Sequence, residues 1–266
     1  MKNIYDIILK YSDRGIEKLR DFDENDYYLE AWQTIKSSKK GIVFLYTGFF
    51  VGSQAETDGP VGTYFLAKAL KRLGFYPVMV TDIYCKNFFK EIKCLYIPIK
   101  SNNINYYEDI LNLYAPVLHI SCERCGRNKE DRYLNHKLED ITDHTADLDH
   151  LFELGRKRAK TIAIGDGGNE IGMGNFLDFF ESTSPNFASK VTCDTPLIAS
   201  VSNWGAYGLI SLLSKELLPT IDEVESYMEH ILSLGAVDGI LKTSSKSVDG
   251  KSWETEEEII SLLRDN

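Results

Sequence analysis

Several features are absent from this 266-residue sequence, and each absence argues against a class of protein. No stretch approaches the roughly 20 uninterrupted apolar residues that a membrane-spanning helix needs. Basic side chains number 30 against 40 acidic ones and are dispersed, which is unlike a protein that tracks a nucleic-acid backbone. The first 20 residues contain no signal-peptide core with a cleavage site. We therefore expect a cytoplasmic protein with neither a nucleic-acid nor a membrane partner.

Motifs of several enzyme classes are also missing. The chain has no G-x-S-x-G elbow of a serine hydrolase and no Gly-Lys-Ser/Thr end to a P-loop. Its five histidines show no metal-ligand spacing. Cys122 and Cys125 form a C-x-x-C, but no second pair completes a tetrahedral zinc site. Ordinary reduced thiols are therefore expected, with a zinc or redox pair as the alternative.

Short β-branched or aromatic runs alternate with helical periodicity along the chain. Residues 41–50 (GIVFLYTGFF) predict a buried strand, and residues 63–73 predict an amphipathic helix. The alternation predicts an α/β fold, in which a layered sheet flanked by helices forms a single large domain with glycine-rich loops at the carboxyl ends of its strands. Residues 1–40 are predicted to form a helical N-terminal cover. Residues 219–266 are predicted to be a helical C-terminal part with a flexible loop at 242–252.

The loop after the first strand contains Glu56, Asp58 and Gly59. Two carboxylates two positions apart on an irregular loop can face one hard cation, which prefers oxygen ligands. Gly59 lets the backbone approach a ligand closely. A D-G-P turn with solvated acids is the alternative interpretation.

A second loop, GDGGNEIGMGN, follows a later strand and begins at Gly165. Asp166, Asn169 and Glu170 offer hard oxygen atoms, and the backbone N–H groups of such a loop can form a concavity for a carboxylate or phosphate. A bare glycine turn is the alternative. Because ligands of open α/β sheets bind outside the carboxyl ends of the strands, the position of this loop favours a binding site.

Three further polar side chains follow strand ends. Asn203 could bind an amide or carboxylate, or cap the helix that follows it. Arg124 and Arg127 come directly after Glu123, and arginine suits bidentate binding of carboxylate or phosphate. The alternative for the two arginines is that their guanidinium groups lie at the surface, exposed to solvent.

Taken together, these loops resemble the C-terminal domain family of D-glutamate cyclase. The matching stretches fall in order from Thr47 to Gly250, and GDGGNEIGMGN is the most specific of them. The others are TGFFVGSQAETDGPVGTYFLAKALKRLGF, CERCGRNKEDRY…EDI, PLIASVSNWGAYGL and GAVDG…VDG. The chain departs from the family pattern at Cys125, where Pro or Ala is expected, and at residues 128–132, which replace a smaller turn. Both changes flank the arginines and bear on substrate identity.

The resemblance implies the dehydrating cyclisation of D-glutamate to 5-oxo-D-proline, or the reverse lactam hydrolysis. From an archaeal relative it also implies a metal-loaded acidic cavity with phosphatase-type activity. Cyclisation needs a Lewis acid, and hard oxygen ligands predict manganese or magnesium, with calcium as an alternative. The predicted partner is a small anionic metabolite. The oligomeric state is left open, a homo-oligomer included.

The roles expected from loop position are as follows. The metal ligands are Glu56, Asp58, Asp166, Glu170 and Asp238, and Asp249 in a second D-G loop could complete the shell or close over the site. The general base is Glu123 or Asp82, each at a strand end. The substrate-binding residues are Thr47, Gly59, Arg124, Arg127, Gly167, Gly168, Asn169 and Asn203. Metal-dependent phosphatase activity on a small phosphorylated metabolite, and non-catalytic binding of an acidic amino acid or nucleotide, are the alternative functions.

Overall fold

A computed structural model of the protein describes residues 3–101 and 103–266. Its strands are β1 (Ile42–Tyr46), β2 (Phe50–Val51), β3 (Gln54–Ala55), β4 (Tyr76–Thr81), β5 (Lys93–Tyr96), β6 (Leu118–Cys122), β7 (Lys160–Gly165), β8 (Thr195–Ile198), β9 (Ser247–Val248) and β10 (Lys251–Ser252). Its α-helices are α1 (Ile4–Ile8), α2 (Leu19–Phe22), α3 (Tyr27–Ser37), α4 (Pro60–Arg72), α5 (Ile104–Tyr114), α6 (Leu148–Arg156), α7 (Leu177–Thr183), α8 (Ser202–Leu213), α9 (Ile221–Ser233) and α10 (Trp253–Asp265).

Six parallel strands form the central sheet, in the order β5-β4-β1-β6-β7-β8. The chain moves outward from β1 to one edge, then returns to β6 and moves outward to the other edge. The order therefore reverses between β1 and β6, and the crevice outside the carboxyl ends of these two strands is where open α/β sheets bind ligands. The sheet confirms the predicted single α/β domain.

The sheet separates two apolar cores, because successive residues of a strand point to opposite faces. Val43 and Leu45 of β1 pack with α1, α3, α4, α8 and α10 on one face. Phe44 and Tyr46 pack with α5 and α6 on the other. Both faces are covered, as parallel sheets require. None of the helices formed by the described residues combines the length and apolar character that a bilayer crossing requires.

Helix α4 begins three residues earlier than the sequence pattern predicts. Its first residue is Pro60, which fits the first helical position because its fixed φ suits the helix and its missing N–H would have no intrahelical partner there. The glycine before it, Gly59, has a φ of 86°. The earlier start brings the first turn of α4 to the crevice between β1 and β6.

The terminal regions are helical over most of their described length. Helices α1 to α3 lie within the predicted N-terminal cover, of which Met1 and Lys2 lie outside the described residues. Helices α9 and α10 lie in the C-terminal part. Between them β9 and β10 form a short antiparallel hairpin within the segment predicted to be a flexible loop. The mobility of that segment stays a prediction.

Candidate active site

Five carboxylates from different loops converge at the crevice between β1 and β6. We call them the acid cluster: Asp58, Glu123, Asp166, Glu170 and Asp249. Carboxylate oxygens of Asp58, Asp166 and Asp249 lie within 4.8 Å of one another, and so do those of Glu123, Asp166 and Glu170. Asp166 belongs to both sets of three. The loops after β1, β6 and β7 thus meet as predicted from their positions at strand ends.

Asp58 and Asn203 hold the two helices that begin at the site. The Asp58 carboxylate accepts hydrogen bonds from the backbone N–H groups of Ser202 and Asn203, at 2.9 and 2.8 Å, at the start of α8. Asn203 Oδ1 accepts from the N–H groups of Gly59 and Gly62, at 3.0 and 2.7 Å, at the start of α4. Each side chain therefore caps the other's helix, and a substrate-binding role for Asn203 stays a prediction.

We expect an Asn203→Ala variant to lose about 2–4 kcal/mol of unfolding free energy. Asn203 is fully buried, so its removal takes the acceptor from the N–H group of Gly62 and a donor from the carbonyl of Thr57, whereas the N–H of Gly59 keeps Asp58 Oδ1 as an acceptor. Urea denaturation measures the change. Asn112→Ala is the matched control, since Asn112 is exposed on α5 and the change there is expected to stay within about 0.5 kcal/mol. Equal losses in the two variants would contradict the capping role.

The glycine-rich loop after β7 is stabilised by the side chain of Glu170, which belongs to the loop. The Glu170 carboxylate accepts from the N–H groups of Gly167 and Gly168 at 2.9 and 2.8 Å. Asn169 Nδ2 donates to the carbonyl of Leu134 at 2.7 Å, which ties the loop to the segment after β6. These contacts fix the loop beside Asp166. Whether its N–H groups also bind substrate stays a prediction.

Glu123 adopts an unusual backbone conformation at the end of β6. Its φ is 47°, in the left-handed region that most non-glycine residues avoid, and such strain is concentrated at functional sites. Its Oε2 accepts from the Ser202 hydroxyl at 2.6 Å. A Cβ at Gly59 would lie 2.6 Å from the Glu123 Cβ and 2.9 Å from Thr47 Oγ1, so only glycine fits here. Thr47 Oγ1 is buried with no partner among the described residues.

Asp249 reaches the cluster from a hairpin turn. Asp249 and Gly250 connect β9 to β10 with φ values of 51° and 71°, as a tight two-residue hairpin requires. Asp238, which the sequence suggested as a ligand, accepts from Ile240, Leu241 and Gly250 N–H groups and belongs to neither set of three among the described residues. Its carboxylate thus supports the turn that positions Asp249, and a ligand role for Asp238 stays a prediction.

Arg14 was not identified from the sequence, because no local pattern distinguishes it between two short helices. Its Nη2 donates to Asp166 Oδ2 at 2.5 Å and also pairs with Asp249 Oδ2. The Arg14 side chain is 28% exposed, whereas that of Asp166 is fully buried. Within the described part of the chain, Arg14 is thus the basic residue that pairs with the cluster, through two of its five carboxylates. Asp238 and Asp249 are each followed by glycine, so the D-G pair alone could not rank Asp249 above Asp238.

The carboxylates raise one another's pKa values. Burial and the nearby Asp249 raise the pKa of Asp58 to about 8. Burial, with Asp166 and Glu170 close by, raises the pKa of Glu123 well above its ordinary range. Burial also raises the pKa of Asp166, although Arg14 opposes this. Fully ionised, the cluster would therefore carry more negative charge than Arg14 offsets, and a bound cation would relieve that repulsion.

Glu56 lies beside the acid cluster. A Cβ at Gly239 would collide with Glu56 Oε2 and lie 3.1 Å from Asp249 Oδ1, so both carboxylates face this glycine. Glu56 is buried, and no hydrogen bond to its carboxylate comes from the described residues. Burial, Asp249 and Asp58 raise its pKa well above the ordinary value. An uncommitted buried carboxylate of this kind is suited to take up a proton.

The donor set fits a divalent cation. Asp166 Oδ1 is buried and has no hydrogen-bond partner within the described part of the chain, although its other oxygen is paired. Every side chain in the two sets offers a carboxylate oxygen, the ligand that manganese, magnesium and calcium prefer. Neither set contains a cysteine or histidine. The residues therefore suit a hard cation better than zinc.

Three other predicted residues are engaged elsewhere. Arg124 is buried, and its Nη1 donates to Asp82 Oδ2 and to the carbonyl of Gly48, both at 2.6 Å. Arg127 pairs with Asp149 at 2.9 Å and with Glu153. Asp82 belongs to neither set of three among the described residues. A substrate role for either arginine, and a base role for Asp82, stay predictions.

Comparison with known proteins identifies one family. Residues 4–264 match the family model described as D-glutamate cyclase-like, C-terminal. A human protein, "D-glutamate cyclase, mitochondrial", is 33% identical over 99 residues, which are 35% of this chain and 16% of that protein.

Two solved structures show only weak similarity. An epimerase from Methanothermobacter thermautotrophicus gives a TM-score of 0.35 at 7% identity, covering 64% of this chain and 54% of its own. The YcaC gene product of Escherichia coli, an octameric hydrolase of unknown specificity, gives 0.29 at 9% identity, covering 74% and 98%. Neither supports an argument about function.

Proposed function

The chain belongs to the D-glutamate cyclase-like family, and from this premise we propose that it is a lyase that cyclises D-glutamate to 5-oxo-D-proline, or catalyses the reverse, with the help of a divalent cation. The observation that carries the proposal is the acid cluster, in which two sets of three carboxylates share Asp166 at the point where the strand order reverses. Because the match to the human cyclase spans 16% of that protein, the reaction itself is a proposal for this chain.

The reaction makes two demands on the site. The α-ammonium of glutamate gives up two protons as its nitrogen bonds to the γ-carboxyl carbon, and one γ-oxygen leaves as water with two protons. A carboxylate is a poor electrophile, and a divalent cation, when bound, would polarise it. Asp58, Asp166, Asp249 and Glu170 are the residues that would hold the cation, which leaves Glu123 for proton transfer.

Glu56 and Glu123 are the side chains suited to move the protons. Both are buried, and burial beside other carboxylates raises the pKa of each, so each binds a proton more readily than a solvated carboxylate does. The carboxylate of Glu56 accepts no hydrogen bond from the described residues, whereas that of Glu123 accepts one from the Ser202 hydroxyl. We assign the proton acceptor to Glu56 and the delivery of protons to the leaving water to Glu123.

A second function has one observation in its favour. The carboxylates fall into two sets of three that share a single aspartate, so the residues present could hold two cations. Two cations about 3.5–4 Å apart are common in enzymes that hydrolyse phosphoesters. Metal-dependent phosphatase activity on a small metabolite is therefore the alternative.

Proton NMR of each glutamate enantiomer, incubated with purified protein and Mn²⁺, tests the proposed function. We expect 5-oxoproline from D-glutamate alone, and no product when EDTA is present. A parallel incubation with a panel of small phosphate monoesters measures released phosphate. No lactam from either enantiomer, with phosphate release instead, would replace the cyclase assignment by the phosphatase. No turnover in either assay would contradict both.

A further inference from the structure

A cavity of about 400 Å³ opens beside the acid cluster on the side of Arg14. Its polar wall includes Arg14, Lys18 and His136, and the rings of Phe179, Phe180 and Phe187 form its apolar wall. Gly167 also lines it, next to Asp166 in the chain. The cavity thus adjoins the acid cluster at Arg14 and the glycine-rich loop, and its lining side chains are basic where those of the cluster are acidic.

Arg14 has N–H donors on the cavity side that no described residue uses. Both of its contacts with the acid cluster, to Asp166 and Asp249, use the same nitrogen, Nη2. Its Nη1 would lie 3.5 Å from a Cβ at Gly167 and has no acceptor among the described residues. A guanidinium presents five N–H donors in a fixed plane, so one edge can hold the acids while another binds an anion.

Two further side chains add donors to the same wall. Lys18 is exposed and has no ion pair or hydrogen bond from its ammonium group within the described part of the chain. His136 is half-buried, and its ring nitrogens likewise have no partner there. Uncommitted donors that face a cavity are available to a ligand, in contrast to donors already used by the fold. The phenylalanine rings shield the space from water, which strengthens a charged hydrogen bond.

The charges of the proposed substrate require a cationic site near the acid cluster. Glutamate has two carboxylates, and the polarised one must lie at the acid cluster with its cation. The other would be repelled by the surplus acid charge unless a cationic group receives it. Arg124 and Arg127 are committed to Asp82 and to Asp149 and Glu153, so they do not supply that group as folded.

We propose that the cavity lined by Arg14, Lys18 and His136 binds the α-carboxylate of the substrate while the γ-carboxylate lies at the acid cluster. The ligand class is a short dicarboxylate whose two acid groups are separated by three carbons. This inference rests on the proposed function. It also gives the cavity and the acid cluster complementary roles, one positioning the substrate and the other performing the reaction.

Calorimetric titration of the Mn²⁺-loaded protein with glutarate tests the proposal without turnover, because glutarate has no amine and cannot cyclise. A Lys18→Met variant is expected to bind glutarate about 3- to 10-fold more weakly than the wild type, the loss typical of one partly solvated charge contact. Lys18→Arg is expected to restore most of the affinity. Lys39→Met is the matched control, since Lys39 is also exposed without a partner among the described residues but precedes β1 at the opposite end of the sheet.

The outcomes separate this inference from the proposed function. If D-glutamate is cyclised but Lys18→Met binds glutarate as the wild type does, the cavity assignment is wrong and the cyclase stands. If glutarate binding depends on Lys18 while D-glutamate gives no lactam, the cavity assignment stands and the reaction is wrong. Inorganic phosphate that binds more tightly than glutarate, and is lost with Lys18, would overturn the carboxylate assignment in favour of a phosphate site.

Discussion

An Asp166→Asn variant is expected to lose turnover of D-glutamate by a factor of about 100 to 1,000, the range seen when one group that stabilises transition-state charge is removed. Asp166 is the carboxylate common to both sets of three, so its replacement weakens either arrangement of ligands. Its Oδ1 is buried and has no partner within the described residues. The neutral amide of asparagine puts no negative charge at that position. We measure initial rates at saturating Mn²⁺ to separate lost catalysis from weakened metal affinity.

Asp178→Asn is the matched control for this prediction. Asp178 is exposed at the start of α7, only twelve positions along the chain, and makes no contact with the acid cluster. The same change of charge there is expected to leave the rate unchanged. Equal rates for Asp166→Asn and the wild type would remove Asp166 from the centre of the mechanism. Equal losses in both variants would point to net charge as the cause.

A Glu56→Gln variant is expected to be more stable than the wild type and much less active. The Glu56 carboxylate is buried without a hydrogen bond from the described residues, and Asp249 and Asp58 repel its charge. A neutral amide removes that repulsion and can donate to the neighbouring carboxylates. We expect a gain of about 1–3 kcal/mol in unfolding free energy in EDTA, and a melting temperature higher by about 2–4 °C for each kcal/mol.

The stability gain of Glu56→Gln is expected to depend on pH in one direction. Because the pKa of Glu56 is raised in the folded state, the folded protein binds more protons than the unfolded chain between the two pKa values, and stability falls as pH rises through that range. The stability gain of Glu56→Gln should therefore be larger at pH 8 than at pH 6. Glu24→Gln, at an exposed site without a partner among the described residues, should show no such difference. A Glu56→Gln variant that is less stable than the wild type at pH 8 would contradict the proposed charge repulsion at Glu56.

The fold and the convergence of the loops could be predicted from sequence because both follow from local patterns. Apolar runs such as residues 42–46 end where the polar loops begin, and parallel strands bring their carboxyl ends to one edge. Their positions after strands predicted that Asp58, Asp166 and Glu170 lie at one site, and the acid cluster contains all three, while their role as metal ligands stays a prediction. The distances between these carboxylates could not be predicted, since they depend on which strands are neighbours in the sheet.

The polar partners of the site were harder to predict, because they come from distant parts of the chain. Arg14 pairs with an aspartate 152 positions away, and no spacing rule links the two. Arg124 had the right position at a strand end, but it turns toward Asp82, which follows β4 on the far side of β1, and is buried there. The alternative role of Asn203 as a cap of its own helix was wrong: its side chain accepts from the first turn of α4 instead, because α4 packs against α8.

Titration of metal-free protein with Mn²⁺, followed by calorimetry, tests the central claim most directly, since every proposed role depends on a cation at the acid cluster. We predict saturable binding to the wild type and to Asp178→Asn, and a loss of at least about tenfold in affinity for Asp166→Asn, as expected when one charged ligand is removed. Wild-type and Asp166→Asn proteins that bind Mn²⁺ equally well, or a wild type that binds none, would contradict the account.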